Sequence, residues 1–450
     1  MTSKQFSFQS ELPVSVQEAF SWHMNNGALE RLIPPWIHAQ PLFPPGRPDE
    51  EGSQVGIQVK RGLVHFHWLL EHAQYVKDQE FTDIQLKGPF RSYSHCHRFL
   101  PLTASTSVLR DEITYETPYF AKKVARELSR YCSWKHAIIR QDLECYARYP
   151  KTPLRILVSG SSGFIGGGLV YFLRALGMDV TRLVRRKTAQ CTDAICWDAE
   201  SGTFQREDFE GFDAVIHLSG ANIAEKRWSE KQKQKLFQSR CRDTWVLSQA
   251  LSRLDQLPKT IICASAVGFY GDRGEEILTE QSPQGSGFLA DLCSKWDQSL
   301  QAVEARGVRV VHTRFGQVLG SSGGVLKKML PLYRMGLGGK LGSGKQWISW
   351  MGIDDLYGAL YHILRTESLR GAVNCVAPQS LRQGEFAALL ARKVHRPMCG
   401  HLPAGLLKWV MGEMAEELLL ASAKVQPAKL MESGYAFRCP DFASVLEYVY

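Results

Sequence analysis

Several features that would assign this 450-residue sequence to a special class are missing from it. Its eleven cysteines form no Cys-x-x-Cys pair, and several of them lie in apolar, strand-like runs. This usage indicates buried free thiols in the reducing cytoplasm, rather than disulfides or a zinc site. Residues 6–13 alternate in polarity and include Glu11, so we expect no signal peptide at the start of the chain.

Uninterrupted hydrophobic runs and one-sided charge are also scarce. The apolar stretch 402–423 is broken by Lys408, Glu413, Glu416 and Glu417, which is typical of a globular helix and not of a membrane span. The net charge of +9 is mild for this length and its basic residues are scattered, so we expect no nucleic-acid partner. The composition, 44% hydrophobic and 22% charged, is that of a globular protein with a sizeable core.

The predicted pattern of secondary structure changes near residue 150, at "YARYPKTPLRILVSG". Upstream, "SVQEAFSWHMNN" predicts a short amphipathic helix, and five alternating runs between residues 53 and 117 predict antiparallel strands. Residues 120–146 carry apolar side chains at helical spacing and predict one long helix. Residues 1–150 are therefore predicted to form a domain with a helix, a curved antiparallel sheet and a long closing helix.

That element order, with "GPFRSYSHCHRF" (88–99) and "DEITYETP" (111–118), resembles the Bet v 1-like and START-like helix-grip superfamily, in its polyketide cyclase/dehydrase-like branch. The resemblance implies an α+β ligand-binding domain with an apolar pocket between sheet and helix. Trp68, Phe90 and Trp134 are candidates to line the pocket and to contact a hydrophobic ligand. The alternative is a solid interaction domain without a cavity.

Two His-x-His pairs, His65/His67 and His95/His97, occur in these strands. Residues i and i+2 point to the same face of a strand, so four imidazoles on one sheet could hold a metal. Such pairs also arise readily in alternating strands, and no carboxylate or cysteine is seen to complete a set. We therefore expect no metal site.

Beyond residue 150 strands and helices alternate, which predicts a doubly wound α/β fold with a parallel sheet. The predicted strands are "RILVSG", "DVTRLVRR", "DAVIHLSGA", "KTIICASA" and "VRVVHTRFG", and the predicted helices are 164–176, 229–254 and 288–305. Gly177 is expected to end the first of these helices in the left-handed conformation.

Gly160, Gly163 and Gly166 lie where the first of these strands turns into a helix. In that context Gly160 permits the tight turn, Gly163 lets the backbone approach a phosphate, and Gly166 lets the helix pack on the strand. The helix N-terminus adds unpaired N–H groups and a positive dipole. The sequence therefore predicts a dinucleotide-binding turn.

The glycine spacing resembles the extended short-chain dehydrogenase/reductase family, whose signature is Thr-Gly-x-x-Gly-Phe-Ile-Gly, with Ser159 in place of Thr. The second strand ends in Arg185 and Arg186, where an acidic residue would hold the ribose of NAD. We therefore expect NADP(H), although paired arginines can also simply end a surface strand. The resemblance assigns further cofactor-binding positions to Ser161, Phe164, Ile165, Leu218, Ser219 and Gly220.

Later segments resemble the NAD-dependent epimerase/dehydratase-like "epimerase family protein" branch, which ends in a small family-specific domain. They include "HLSGANIAEKRW", "SAVGFYG", "WISWMGIDD" and "LPAGLLKWVMGEM". The resemblance implies a Rossmann-type domain at 153–375 and a C-terminal domain at 376–450. Asp354 and Asp355 open a predicted helix, which either could cap.

The catalytic pattern of the family is altered. Its members use a Tyr-x-x-x-Lys pair, but the corresponding helix reads "GSGFLADLCSKWDQSL", with Phe288 or Leu289 at the tyrosine and Leu292 or Cys293 at the lysine. Ala266 stands where Ser or Thr is usual, beside Ser265, and Arg240 stands where relatives place Asn. Ser265 and Tyr270 remain the candidate catalytic residues, although the pattern favours a packed aromatic at the end of the strand for Tyr270.

Three functions are consistent with this pattern. The chain is an NADP-dependent epimerase or oxidoreductase with an unusual acid/base, acting on a nucleotide-sugar or another small polar substrate. Alternatively it binds NADPH without turnover, as a sensor or scaffold. In the third interpretation the activity resides in the N-terminal domain, as ligand transfer or cyclisation. The missing Tyr-x-x-x-Lys pair does not decide among them.

Overall fold

The computed structural model describes residues 3–43, 46–47, 49–61, 64–117, 121–186, 193–200, 202 and 204–449. The chain divides into two compact units, Met1–Pro153 with Val170–Asp179, and Leu154–Leu169 with Val180–Tyr450. Within the described ranges, no helix is both long enough and apolar enough to cross a membrane.

The first unit is built on a seven-stranded antiparallel sheet with the strand order β1-β7-β6-β5-β4-β3-β2. Its elements are β1 (Lys4–Leu12), α1 (Val16–Met24), α2 (Ala28–Arg31), β2 (His38–Pro41), β3 (Gln54–Arg61), β4 (Val64–Val76), β5 (Glu80–Lys87), β6 (Ser92–Pro101), β7 (Ser107–Glu116) and α3 (Ala121–Ala147). The five predicted strands and both predicted helices are confirmed. Phe120, the expected first residue of the long helix, lies outside the described residues.

Helix α3 contributes both apolar and charged side chains to the interior of the first unit. Leu128 and Cys132 pack in one core cluster with Tyr93, Ile113 and Tyr115. The expected apolar face is thus present, but three polar residues of the same helix are also buried. They are Lys135, His136 and Asp142. This burial was not predicted from the sequence, because lysine and aspartate are seldom fully buried unless they are paired.

The second unit contains a seven-stranded sheet with the order β10-β9-β8-β11-β12-β14-β19. The neighbouring pairs β10/β9, β8/β11, β11/β12, β12/β14 and β14/β19 are parallel. The strands of the unit are β8 (Arg155–Ser159), β9 (Asp179–Val184), β10 (Ala194–Cys196), β11 (Ala214–His217), β12 (Thr260–Ala266), β13 (Ile277–Leu278), β14 (Arg309–Phe315), β15 (Gln317–Leu319), β16 (Gly339–Leu341), β17 (Trp347–Ile348), β18 (Trp350–Gly352), β19 (Gly371–Cys375), β20 (Leu381–Arg382), β21 (Gly400–Leu402) and β22 (Lys424–Val425). This order is the Rossmann type predicted from the alternation of elements.

Thirteen α-helices follow in the described chain, and the three that were predicted begin near the expected residues 164, 229 and 288. The thirteen are α4 (Phe164–Ala175), α5 (Arg206–Phe209), α6 (Glu230–Phe237), α7 (Asp243–Ser252), α8 (Phe288–Gln298), α9 (Gln301–Glu304), α10 (Gly324–Arg334), α11 (Ile353–Arg365), α12 (Gln383–Lys393), α13 (Ala404–Met411), α14 (Glu413–Ala415), α15 (Ala428–Glu432) and α16 (Phe442–Val449). The predicted helix 229–254 is interrupted by a π-helical turn, Gln238–Arg242, and the predicted helix 288–305 by a break after Gln298. Gly177, with φ of +77°, ends α4 as expected.

Candidate functional site

The glycine-rich turn leaves β8 beside β11, at the point where the strand order of the sheet reverses direction. Gly160 has φ of +69°, and a Cβ atom on it would lie 2.6 Å from the carbonyl carbon of Leu218. The turn is closed by the N–H of Gly163, which donates to the carbonyl of Gly160 over 2.9 Å. Ligands of open α/β sheets bind in the crevice at such a reversal point.

The three glycines meet different surroundings. A Cβ atom on Gly166 would lie 2.3 Å from the carbonyl oxygen of Gly160, so α4 packs directly on the turn. A Cβ atom on Gly163 would meet only that same oxygen, at 3.2 Å. The side of the turn at Gly163 is therefore otherwise open, as a phosphate cradle requires.

The residues between and after these glycines differ in exposure. Ser161 is buried, and Ile165 is half-buried in the first turn of α4. The ring of Phe164 fills the space where Cβ atoms of Gly320 and Gly323 would lie, at 2.7 and 2.2 Å. Phe164 thus contacts the protein's own segment 320–324 through its side chain.

A buried hydrogen-bond chain connects the strands beneath the turn. The Oγ atom of Ser159 lies 2.7 Å from Nδ1 of His217 and also accepts a hydrogen bond from the N–H of Leu218. Nε2 of His217 lies 3.0 Å from Oγ1 of Thr244. Burial lowers the pKa of His217 to about 4. The ring is therefore neutral near neutral pH and joins β8, β11 and α7.

Arg185 and Arg186 lie immediately after β9, and both are exposed. Among the described residues neither side chain forms an ion pair or a hydrogen bond, although the segment 187–192 next to them is not described. Two exposed guanidinium groups at the end of the second strand are suited to a phosphate on the ribose.

The start of α8 confirms that a Tyr-x-x-x-Lys pair is absent there. Phe288 is half-buried, with its ring centroid 5.0 Å from that of Trp228, and Leu292 is buried. The carboxylate of Glu417 accepts hydrogen bonds from the N–H groups of Phe288 and Leu289, at 2.8 and 2.7 Å. Sequence reasoning missed Glu417, because its contact with α8 spans more than a hundred residues of chain.

Two polar groups near the carboxyl ends of β11 and β12 are buried without a hydrogen-bond partner in the part of the chain that the structure describes. They are Oγ of Ser265 and Nη1 of Arg240. The guanidinium carbon of Arg240 would lie 3.4 Å from a Cβ atom on Gly220 and is 5.2 Å from the ring centroid of Trp296. Arg240 belongs to the π-helical turn, a feature often found at functional sites. Unpartnered buried groups of this kind are suited to a bound ligand.

Cys293 occupies one of the two positions considered for the family's lysine, and its thiol is close to this arginine. Burial raises the pKa of Cys293 to about 12, and the positive charge of Arg240 opposes that rise. The thiol is therefore neutral near neutral pH.

Tyr270 is fully buried. Its hydroxyl donates to Oδ1 of Asn374 over 2.7 Å and accepts from Nη1 of Arg314 over 2.9 Å. Burial also raises its pKa above the ordinary value. This geometry favours the packing interpretation of Tyr270 over the catalytic one.

Asp355 does not cap the helix that it opens. Its carboxylate accepts hydrogen bonds from the N–H groups of Arg438 and Cys439, both over 2.7 Å, and from the hydroxyl of Tyr435 over 3.2 Å. The N-cap of α11 is Gly352, without a side-chain bond. Asp355 therefore ties α11 to the C-terminal segment, a long-range role that local sequence does not reveal.

A second group of buried polar side chains lies inside the first unit. His95, His97 and Asp111 are each buried, and one ligand atom from each lies within 4.8 Å of the others. His65 and His67, the other pair considered as metal ligands, are exposed on β4. The expectation that no carboxylate completes a set was wrong, because β6 and β7 pair in a register that places Asp111 directly opposite His97.

The residues of the second unit fit a dinucleotide. The turn is open at Gly163, two exposed arginines follow β9, and Arg240 and Ser265 leave buried polar atoms unpartnered. The structure brings Gly160, Gly163, Gly166, Leu218, Ser219 and Gly220 together at one edge of the sheet, since a Cβ atom on Gly160 would lie within 2.8 Å of both Leu218 and Ser219.

The chain matches known families over its second unit. Residues 156–375 match the NAD dependent epimerase/dehydratase family, and residues 402–449 match a domain of unknown function, DUF1731. An epimerase family protein of Mycobacterium bovis is 39% identical over 293 residues, which cover 65% of this chain and 96% of that protein.

Two solved structures are similar in fold and sequence. The nucleoside-diphosphate sugar epimerase from Corynebacterium glutamicum has a TM-score of 0.81 and 27% identity, and the match covers 99% of this chain and 90% of that one. The human epimerase family protein SDR39U1 (isoform 2), solved with NADPH, has a TM-score of 0.61 and 33% identity, covering 66% of this chain and 99% of that one. The first of these matches includes the first unit.

Proposed function

We propose an NADP(H)-dependent activity on a small polar substrate for this chain, which belongs to the NAD dependent epimerase/dehydratase family. The turn at Gly160–Gly163 and the N-terminus of α4 would hold the pyrophosphate. Arg185 and Arg186 would hold the 2′-phosphate of the adenosine ribose. The human relative solved with NADPH supports this choice of cofactor over NAD.

The observation that carries the proposal is a pair of buried polar atoms without a hydrogen-bond partner among the described residues, Nη1 of Arg240 and Oγ of Ser265, at the carboxyl edge of the sheet. A bound nicotinamide supplies a hydride donor or acceptor. The hydroxyl of Ser265 is placed to hydrogen-bond a substrate oxygen. The guanidinium group of Arg240 would stabilise negative charge on that oxygen.

Because Arg240 does not lose its proton near neutral pH, it orients and stabilises but does not act as the base. The proton of the reacting substrate hydroxyl would therefore have to pass to water or to another group of the substrate. A nucleotide-sugar is the substrate class that we propose, since the similar Corynebacterium protein is described as a nucleoside-diphosphate sugar epimerase.

Cofactor choice is tested by calorimetric titration of NADPH and NADH into the full-length protein. An arginine–phosphate contact contributes about 1.5–3 kcal/mol, so NADPH should bind about tenfold or more tightly than NADH. In R185A/R186A the two affinities should become equal through a loss of NADPH binding alone. Equal affinities in the wild type would contradict the proposal.

A second candidate function is binding of NADPH without turnover. The absence of tyrosine and lysine from the start of α8, and the engagement of the Tyr270 hydroxyl with Asn374 and Arg314, favour this candidate. The two candidates are separated by incubating the protein with NADP+ and with UDP-glucose or UDP-glucuronic acid deuterated at C4 of the sugar, because the sugar must first give its hydride to the oxidised cofactor. Deuterium loss or sugar inversion that disappears in R240M supports catalysis, and unchanged reagents support binding alone.

We propose that residues 1–150 form a START-like domain, residues 153–375 the cofactor-binding domain and residues 376–450 the C-terminal domain. Helix, antiparallel sheet and long helix occur in the helix-grip order in the first unit, which supports the first assignment. Trp68 packs against Phe90, and Trp134 against Trp36, so a hydrophobic ligand would have to enter between these pairs.

Ten described cysteines are free, which supports a reducing, cytoplasmic location.

A further inference from the structure

The interior of the first unit contains one ligand set that the nucleotide chemistry of the second unit does not use. It consists of Nε2 of His95, Nδ1 of His97 and Oδ1 of Asp111. The Asp111 oxygen lies 3.3 Å from the His95 nitrogen and 2.9 Å from the His97 nitrogen. Two ligand atoms about 2.0–2.1 Å from a tetrahedral zinc ion are about 3.3–3.4 Å apart, so both separations are close to those of a coordination sphere.

From this geometry we propose that His95, His97 and Asp111 bind a divalent transition-metal cation of the zinc class. Two imidazoles and one carboxylate leave a fourth position for water or a small ligand, the arrangement of open rather than structural zinc sites. All three side chains are buried, and Nε2 of His95 has no hydrogen-bond partner among the described residues.

The second ring nitrogen of each proposed histidine ligand lies near another polar group. Nδ1 of His95 lies 3.3 Å from the hydroxyl of Tyr93, and Nε2 of His97 lies 3.5 Å from Oδ2 of Asp83. With the metal on Nε2 of His95 and on Nδ1 of His97, the other nitrogen of each ring would be protonated and would face the Tyr93 hydroxyl or the Asp83 carboxylate. Such outer contacts fix the tautomer and orientation of metal-binding histidines.

The carboxylate of Asp111 is oriented in the same way. Its Oδ2 atom lies 2.9 Å from Nε2 of His136 and 2.5 Å from Nζ of Lys135. His136 is fixed in turn by a 2.7 Å contact between its Nδ1 and Oγ of Ser10. Two donors thus occupy one oxygen of Asp111 and leave the other directed at the two imidazoles.

Lys135 also lies 3.2 Å from Nδ1 of His97, and this contact creates a conflict. Toward the ammonium group that nitrogen must accept a hydrogen bond, but toward Oδ1 of Asp111, 2.9 Å away, it must donate one. A cation between Nδ1 and Oδ1 resolves the conflict, because both atoms then offer a lone pair to it. Lys135 keeps its contact with Oδ2.

Charge balance is compatible with a divalent ion. The cluster contains the carboxylates of Asp83 and Asp111 and the ammonium of Lys135, all buried or nearly so. With neutral imidazoles its net charge is −1, so a divalent ion with a bound hydroxide brings the site to neutrality. A buried group that ends neutral avoids most of the desolvation cost of an isolated charge.

The test is metal binding by the full-length, tag-free protein after dialysis against a chelator. Zn²⁺ is titrated by calorimetry and counted by elemental analysis, and Co²⁺ is titrated by its visible absorption, which is intense only in four-coordinate sites. We expect one equivalent per chain and a rise in Tm with added Zn²⁺, because a ligand that binds only the folded state stabilises it.

The decisive variants compare the two His-x-His pairs. H95A removes the ligand whose Nε2 is unpartnered, and H95Q keeps more of the side-chain volume. Either should weaken Zn²⁺ binding at least about tenfold, judged from the 10–100-fold effect of losing only an outer contact. The matched control H65A/H67A removes the exposed pair on β4 and should bind as the wild type does.

Absence of stoichiometric binding to the wild type would overturn the proposal, and so would H95Q binding equal to that of the wild type. Loss of binding in H65A/H67A alone would assign the metal to the exposed pair and would also overturn it. If both His95 variants fail to fold, the Co²⁺ spectrum of H65A/H67A decides, because a retained four-coordinate band requires ligands other than the exposed histidines.

Discussion

Oγ of Ser159 lies 2.7 Å from Nδ1 of His217, and this contact joins the ends of β8 and β11 directly beneath the glycine turn. Ser159 stands where the resembled signature has threonine, so the hydroxyl that precedes the turn has a structural partner in this chain. The position of Gly160 against Leu218 depends on the same two strand ends. Changes at this contact should therefore affect stability and cofactor affinity together.

The neutral state of His217 makes the stability of the second unit dependent on pH. Burial lowers the pKa of this imidazole from 6.5 to about 4, so between these values the unfolded chain takes up a proton that the folded chain refuses. Stability is full above pH 6.5 and falls as the pH drops, by about 3 kcal/mol for this group. In H217Q the loss of unfolding free energy over that range, measured by urea titration, should be smaller by that amount. An unchanged slope would contradict the prediction.

Gly163 should separate cofactor binding from folding. In G163A the new methyl group meets only the carbonyl oxygen of Gly160, at 3.2 Å, so Tm should change little. The same methyl group projects into the open side of the turn, so the affinity for NADPH should fall at least about tenfold, the loss of about 1.4 kcal/mol. The matched control is G167A, whose methyl group would lie 3.6 Å from the carbonyl of Ser161. Calorimetry should show near wild-type affinity for G167A.

Tyr270 should behave as a structural residue. Y270F leaves an acceptor on Asn374 and a donor on Arg314 without their buried partner, which costs about 1–3 kcal/mol. We expect a lower Tm and an NADPH affinity within about twofold of wild type, since the phenol is not open to a ligand. A Tm equal to that of the wild type, together with loss of turnover, would instead assign Tyr270 to catalysis.

Asp355 should stabilise the C-terminal segment through its carboxylate. D355A removes the acceptor of the Arg438 and Cys439 N–H groups, and leaving these donors buried costs about 2–4 kcal/mol in all. D355N retains one oxygen and should lose about half as much. The expected signature is early loss of amide exchange protection around residues 435–449. Uniform loss across the chain would contradict a local role.

The parts of this protein that local sequence determined are those whose cause is local. Alternation of polar and apolar residues predicted the strands of the first unit, and short apolar runs predicted those of the second. The glycine spacing with Ser159 predicted the turn into α4. Arg185 and Arg186 were predicted to bind the 2′-phosphate of NADP(H) from their place at the end of β9. In each case the physical cause lies within a few neighbouring residues. Examples are the positive φ that the turn requires at Gly160 and the apolar face of a strand, which must be buried.

Tertiary structure alone decided which distant groups meet. Glu417 bonds to the start of α8, Asp355 of α11 bonds to the C-terminal segment, and Asp111 of β7 lies beside His97 of β6. In each case the two partners are far apart in the chain or on different strands. Their partners depend on strand register and helix packing, which the pattern of single residues does not encode. In the sequence, Asp111 is an ordinary polar residue of an alternating strand. Its carboxylate lies among buried imidazoles and beside Lys135 because of the register in which β6 pairs with β7.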